Sequence, residues 1–277
     1  MNSRNFKFLI PNSKSIFAGA LIILLLITTA LIAPLISPYD PSEQNLFEGL
    51  KEPGSKHILG QDRLGRDILS RIIYGSRVSL QVGIMAVGIS LIIGLIIGSA
   101  SGYFGGFIDN LFMRIADILL AFPGILLAIG ITAVLGPSLT NVILALSIIS
   151  WVGYARLIRG QILSAREYEY VSAARAIGAG DFRIITKHIL PNIIAPVLVQ
   201  ASFGMAGAIT AEAGLSFLGL GTQPPTPSWG SMLNEGRNYL LVAPHLTIFP
   251  GIAIMIVVIA FNFLGDSLRD MWDVKER

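Results

Sequence analysis

The chain has 277 residues, of which 53% are hydrophobic and only 13% charged, and its formal net charge is +3. With a mean hydropathy of +0.70, it is too apolar for an ordinary soluble domain and is predicted to be a polytopic membrane protein. The small net charge argues against nucleic acid as a partner. The absence of cysteine excludes disulfides, Cys-ligated zinc and thiol nucleophiles.

The first predicted element is a transmembrane helix over residues 15–39, which follows a basic tail at 1–14. The uncharged run is long enough to cross a bilayer. A cleaved signal peptide is the alternative, but its apolar region would span about 7–15 residues and no Ala-x-Ala site follows. Residues 40–77 hold acids and bases in balance. They are predicted to form an extracytoplasmic loop that ends in an interfacial helix.

The second span is predicted over the uncharged stretch 78–108, in which small residues recur at every fourth position: Ala86, Ser90, Gly94, Gly98 and Gly102. A stripe of this kind allows close helix packing, and sliding along it during gating is the alternative. The third span is predicted over 109–135, with a kink at the Phe-Pro-Gly sequence 122–124. The fourth is predicted over 139–155.

A polar segment, residues 166–191, interrupts the apolar stretches. Its first part has helical spacing on one face, at Tyr170, Ala173, Ala174 and Ile177. Gly178 follows where helices commonly end in a left-handed residue. Asp181 is predicted to cap a second short helix that Pro191 would end. The segment therefore reads as a helix, a glycine elbow and a second helix.

Small side chains around the elbow would bring its backbone close to a partner's surface. An amphipathic loop lying on anionic lipid is the alternative interpretation. The fifth span is predicted over 193–211 and ends beside Glu212. An acid at a span is a functional candidate, although a position near the interface favours a hydrated structural role. The sixth span is predicted over 246–264.

Six spans place both termini on one side. The loops on that side carry the excess of Lys and Arg, so the N-terminus and the central polar segment are predicted to be cytosolic. The chain has no phosphate-binding Gly-x-x-x-x-Gly-Lys-Ser/Thr loop, no His-Glu-x-x-His and no Gly-x-Ser-x-Gly elbow. It is therefore predicted to be non-catalytic and to bind no cofactor. A self-sufficient secondary transporter is the alternative from another class, but the span centres are nearly uncharged.

The order of motifs resembles the EAA loop of ATP-binding-cassette importer permeases, written E-A-A, three residues, G, nine residues, I-x-L-P. The positions that fit are Ala173, Ala174, Gly178, Leu190 and Pro191, whereas Ser172 and His188 depart from the pattern. The flanks resemble the dipeptide, oligopeptide and nickel branch of that family. They are Leu-Gly-Gln-Asp-Arg-Leu-Gly-Arg-Asp at 59–67, Leu-Ser-Phe-Leu-Gly-Leu-Gly at 215–221, Pro-Thr-Pro-Ser-Trp-Gly at 225–230 and Phe-Asn-Phe-Leu-Gly-Asp at 261–266.

The resemblance implies an all-α integral membrane protein of the type I importer permease fold. It has six transmembrane helices, a permease core at 78–266, a cytosolic coupling loop at 166–191 and a cytosolic tail at 267–277. Residues expected to couple to the ATPase are Glu169, Ser172, Ala173, Ala174, Gly178, Ala179, Asp181, Leu190 and Pro191. Gly94, Gly98 and Gly102 are expected to pack helices.

The resemblance also implies partners. They are a related second permease in a heterodimer, two ATPase subunits that bind ATP and Mg, and an extracytoplasmic substrate-binding protein. The chain itself would form half of a pathway through the cell membrane. Peptides are the expected cargo, and nickel or another metal chelate is the alternative.

Overall fold

The computed structural model describes residues 13–273, and every regular element within them is helical. The helices are α1 (Ser13–Ile36), α2 (Ile68–Phe104), α3 (Gly106–Leu120), α4 (Gly124–Leu135), α5 (Leu139–Ala165), α6 (Glu169–Ala176), α7 (Asp181–Arg183), α8 (Leu190–Phe217), α9 (Trp229–Gly236) and α10 (His245–Asp273). A π-helical turn joins α7 to α8. The predicted all-α architecture is confirmed. Most of the predicted N-terminal tail and the end of the C-terminal tail lie outside the described residues.

Five segments are long and apolar enough to cross a membrane, namely α1, α2, α5, α10 and the continuous helix formed by α7, the π turn and α8. The sixth is the bent pair of α3 and α4, whose axes meet at 87°. The bend lies at the Phe-Pro-Gly sequence 122–124, where the kink is predicted. Pro123 precedes α4 as its N-cap residue.

The bent pair crosses the molecule once, because its two ends contact opposite ends of α5. Asp109 of α3 accepts hydrogen bonds from Arg159 Nε and Nη2, at 2.5 and 2.6 Å. At the other end, Asn141 Nδ2 donates to the carbonyl oxygens of Leu135 and Gly136. Asn141 and Arg159 are separated by about 27 Å along α5, at 1.5 Å per residue. That length is close to the apolar thickness of a bilayer.

Helices α2 and α5 extend well beyond their predicted spans. Helix α2 begins ten residues early because Asp67 caps it, accepting a 2.7 Å hydrogen bond from the Ser70 backbone N–H. The predicted interfacial helix is therefore the first part of α2. Helix α5 continues past Arg156 and Arg159 to Ala165, since both guanidinium groups pair with acids of α3. These charges join two helices instead of ending one.

The stripe of small residues on α2 lies against α5. A Cβ atom added to Gly94 would lie 2.4 Å from the Cβ of Tyr154, and one added to Gly98 would lie 2.6 Å from the carbonyl oxygen of Ala155. At Gly102 the nearest atom, the Arg159 carbonyl oxygen, would be 2.9 Å away. The two backbones therefore approach each other more closely than any side chain would permit.

Buried apolar residues form separate clusters towards the two ends of the helix bundle. The coupling end, which carries residues 166–191, contains Ile158, Ile162, Ile184 and Ile189. The far end, which carries the loop 37–67 and α9, contains Ile68, Trp229 and other residues of a second cluster. Arg71 and Tyr103 mark these two ends of α2 and are about 48 Å apart along its axis.

Candidate coupling site and substrate groove

The first helix of the polar segment, α6, lies on the core through Val171 and Ala174, which are buried with Ile162 and Ile184. The predicted apolar face is wrong, because Tyr170, Ala173 and Ile177 are exposed. The buried face is displaced by one residue, which is about 100° of helix rotation. Val171 and Ala174 form the buried face of α6, and Ile177 does not lie on it.

The elbow after α6 is a Schellman motif, in which backbone N–H groups satisfy the last carbonyls of a helix. The Ala179 N–H donates to the Ala174 carbonyl at 3.1 Å, and the Gly178 N–H donates to that of Arg175 at 3.0 Å. Gly178 has φ +82°, so the predicted left-handed residue is confirmed. No atom lies within 4 Å of a Cβ built there. Glycine is required by backbone conformation alone.

Asp181 follows the elbow but does not cap the second helix. Gly180 is the N-cap residue, and Asp181 is the first residue of α7. Its Oδ1 instead accepts a 2.7 Å hydrogen bond from the hydroxyl of Tyr103, at the end of α2. Arg175 Nη2 donates to the same hydroxyl at 3.4 Å, and this hydrogen bond raises the pKa of Arg175. The elbow is thus connected from both sides to one tyrosine of α2.

The second helix does not end at Pro191 as predicted. It passes through a π-helical turn, Ile184–Ile189, in which the Leu190 N–H bonds to the carbonyl of Ile185, five residues earlier. In an ordinary α-helix, the ring of a proline clashes with the carbonyl group four residues before it. The π-helical turn replaces the four-residue hydrogen bonds with five-residue ones just before Pro191. Pro191 is therefore accommodated in the first turn of α8, and the elbow is joined directly to that span.

Two large apolar side chains flank the elbow and project from the molecule. Ile177 is 86% exposed and Phe182 is 81% exposed. Glu169, Ser172 and Ala173 are exposed on the same segment, whereas Ala179 and Leu190 are partly buried and Pro191 is exposed. The spacing placed Ile177 on a helix face, and neither Ile177 nor Phe182 was predicted from sequence to be a surface residue. Their position on either side of a glycine-rich turn was the available signal.

A groove of about 270 Å³ lies between α2, α5 and α8. Its lining contains no charged side chain and includes Ser150, Tyr154 and Gln200 together with small residues of α8. Gly204 leaves room for Tyr154, whose hydroxyl oxygen would lie 2.2 Å from a Cβ at that position. The Tyr154 hydroxyl is buried without a hydrogen-bond partner. The groove lining therefore combines small side chains with neutral polar groups.

Glu212 lies at the far end of α8 and is fully buried, at 0% exposure. The expectation of a hydrated carboxylate is wrong, because α8 continues to Phe217 and the following loop covers this turn. Ser216 Oγ donates to Glu212 Oε1 at 2.6 Å and accepts from the Thr222 N–H at 3.3 Å. Glu212 therefore holds the loop through Ser216. Among residues 13–273, no three His, Asp or Glu side chains gather as a metal site requires.

Most of the chain, residues 69–277, matches the family described as the binding-protein-dependent transport system inner membrane component. The chain belongs to this permease family. Residues 12–53 also match the N-terminal transmembrane domain of oligopeptide transport permease C. The resemblance drawn from the motifs is thereby confirmed, and the protein is a non-catalytic permease subunit of an ATP-driven importer.

Named permeases of the same kind are similar over nearly the whole chain. The dipeptide transport system permease protein DppC of Alkalihalophilus pseudofirmus is 48% identical over 270 residues, covering 98% of this chain and 88% of its own. The glutathione transport system permease protein GsiD of Pectobacterium atrosepticum is 47% identical over 259 residues, covering 93% and 86%.

A solved structure supports the fold independently. The methionine ABC transporter MetNI, in an inward-facing conformation, aligns with a TM-score of 0.54. The alignment covers 73% of this permease and 96% of that chain at 23% identity. The predicted type I importer permease fold is confirmed by this likeness.

Proposed function

We propose that this permease forms half of a peptide pathway and that the elbow between α6 and α7 docks on a separate ATPase. The exposure of Ile177 and Phe182 on both sides of a rigid elbow carries the proposal. Large apolar side chains in such a position gain about 1.5–3 kcal/mol each when a partner covers them. The elbow also continues directly into α8, so a displacement imposed on it would reach the groove.

Peptides are the proposed cargo for two reasons. The similar permeases from two organisms are named for transport of dipeptide and of glutathione, itself a tripeptide. The groove lining is uncharged and carries hydroxyl and amide groups, which suit hydrogen bonds to a peptide backbone. The second half of the pathway would come from a related permease in a heterodimer.

The proposed assembly contains two ATPase subunits, which bind ATP and Mg²⁺, and an extracytoplasmic substrate-binding protein. The elbow and both termini would face the cytosol, where ATP is available, and the far end would face the binding protein. The surplus of Lys and Arg on the loops of the coupling side supports this orientation in the inner membrane.

The docking role is tested with the double variant Ile177→Ser, Phe182→Ser in the reconstituted complex. Loss of two buried apolar contacts is expected to weaken association with the ATPase by at least about a hundredfold, measured by titration of labelled ATPase. Leu241→Ser is the control, since Leu241 is fully exposed at the far end. Unchanged ATPase affinity in the double variant would contradict docking through these residues.

The orientation is tested with Ser55→Cys and Ser172→Cys, two exposed serines at opposite ends of a chain that has no native cysteine. Position 55 is expected to react with an impermeant maleimide in intact cells, and position 172 only after permeabilisation. Labelling of position 172 from outside would reverse the topology and remove the proposed access of the elbow to the ATPase.

A further inference from the structure

The far end contains a cavity of about 340 Å³ between the start of α2 and the segment that includes α9. Three arginines line it, Arg63, Arg66 and Arg71, opposite Glu235. It lies about 48 Å along α2 from the coupling end. No residue that lines it also lines the groove between α2, α5 and α8. The cavity is therefore a separate feature of the permease.

Two carboxylates already bind these guanidinium groups. Glu235 Oε2 accepts from Arg66 Nη2 at 2.5 Å and from Arg71 Nη2 at 3.1 Å. Asp62 Oδ2 accepts from Arg66 Nε at 2.6 Å and lies 3.6 Å from Arg71 Nε. Carboxylates are thus the groups that this cluster of arginines holds within the chain.

The cluster retains unused capacity for one more anion. Arg71 is 2% exposed, and its Nε and Nη1 atoms have no hydrogen-bond partner. A buried guanidinium with unpaired N–H groups is costly, and an added acceptor would relieve that cost. Arg63 is exposed and makes no ion pair within residues 13–273. Three guanidinium groups facing two carboxylates leave one positive charge unmatched.

We propose that this cavity receives a carboxylate side chain of the extracytoplasmic binding protein and so fixes its position on the permease. The inference rests on the proposed function, which places the far end outside the membrane. A rim arginine with buried ones behind it suits a docking acid, because Arg63 can bind the carboxylate while Arg66 and Arg71 add positive charge behind it. The wall is preorganised, since Ser228 and Ser231 form a capping box at the start of α9.

The test uses the whole importer in nanodiscs, titrated with its purified, peptide-loaded binding protein. Arg63→Glu reverses the charge at the rim without removing an internal contact. It is expected to raise the binding-protein concentration for half-maximal ATPase stimulation at least tenfold and to weaken its dependence on salt. The matched control is Lys56→Glu, which makes the same charge change on an exposed residue that lines a different cavity of the far end. Lys56→Glu is expected to leave that concentration unchanged.

Two results would overturn the inference alone: equal effects of the two reversals, or no effect of Arg63→Glu on stimulation. A further outcome assigns the carboxylate to the substrate. In that case Arg63→Glu leaves the half-maximal concentration unchanged but lowers uptake of peptides with a free C-terminal carboxylate more than uptake of their C-terminal amides. A wild-type complex that does not respond to the loaded binding protein would overturn both the partner named in the proposed function and this inference.

Discussion

At the far end of the permease, three buried charged side chains and the partly exposed Glu235 form a network, whereas at the coupling end the elbow is closed by backbone hydrogen bonds and one tyrosine hydroxyl. Asp62, Arg66 and Arg71 are buried, but Ile177 and Phe182 are almost fully exposed. The buried charges of the far end therefore act within the chain, and the elbow at the coupling end has apolar surface that a partner can cover. Substitutions of those buried charges should act mainly on stability, and substitutions at the elbow should act mainly on coupling.

Asp62→Ala should have the largest effect on stability. It removes a carboxylate that pairs with two buried guanidinium groups. It also removes the acceptor of the hydrogen bonds donated by the backbone N–H groups of Leu64 and Arg66. Removing one member of a buried ion pair costs about 3–5 kcal/mol. We expect a lowered unfolding temperature in detergent and little protein in the membrane.

Asp181→Ala is the matched control at the coupling end, because that carboxylate is exposed and accepts one hydrogen bond, from Tyr103. Its expected cost is about 1 kcal/mol. Equal losses of stability for the two substitutions would break the contrast between the ends.

Gly102→Val should have an intermediate effect on stability, and it tests whether close packing of α2 on α5 stabilises the coupling end. Its Cβ would meet the backbone of Arg159 and the side chain of Ile162 on α5. Overpacking of this kind costs about 1–3 kcal/mol. The amount of folded protein is expected to fall, as measured by size-exclusion chromatography. Gly88→Val on the same helix is the control, since no atom lies within 4 Å of a Cβ there.

Gly178→Val should have the smallest effect on stability and a large effect on transport. The left-handed φ costs a residue with a Cβ about 1 kcal/mol or somewhat more, and no steric contact within the chain is added. Relief of that strain would rotate α7 relative to α6 and misplace the docking surface. We expect normal abundance, reduced peptide uptake and weaker stimulation of the ATPase by substrate.

Gly178→Asn distinguishes backbone strain from a steric clash with the ATPase, because asparagine adopts left-handed conformations more readily than valine. Partial recovery of uptake is expected. Normal transport by Gly178→Val at normal abundance would contradict the role of the elbow, as would a defect due only to loss of protein.

The predictions that succeeded from sequence rest on local rules. Apolar length identified the spans, proline and glycine located the bend at 122–124, and Gly178 marked the end of α6. The predictions that failed depended on neighbours distant in sequence. From sequence, Asp181 could cap the second helix or accept a hydrogen bond from a distant residue. The fold places Tyr103 of α2 beside it, and its carboxylate accepts a hydrogen bond from that hydroxyl. Pro191 could end a helix, but a π turn accommodates it.

The sequence by itself determined that this chain is a helical membrane permease with an elbow at Gly178, because span length, helix termination and motif order are properties of contiguous residues. Tertiary structure alone decided which side chains the elbow exposes, since Val171 and not Ile177 meets the core. It also decided that Glu212 is buried and that Arg63, Arg66 and Arg71 line one cavity with Glu235. Burial and charge pairing depend on residues that only folding brings together, in two ion pairs more than 160 positions apart.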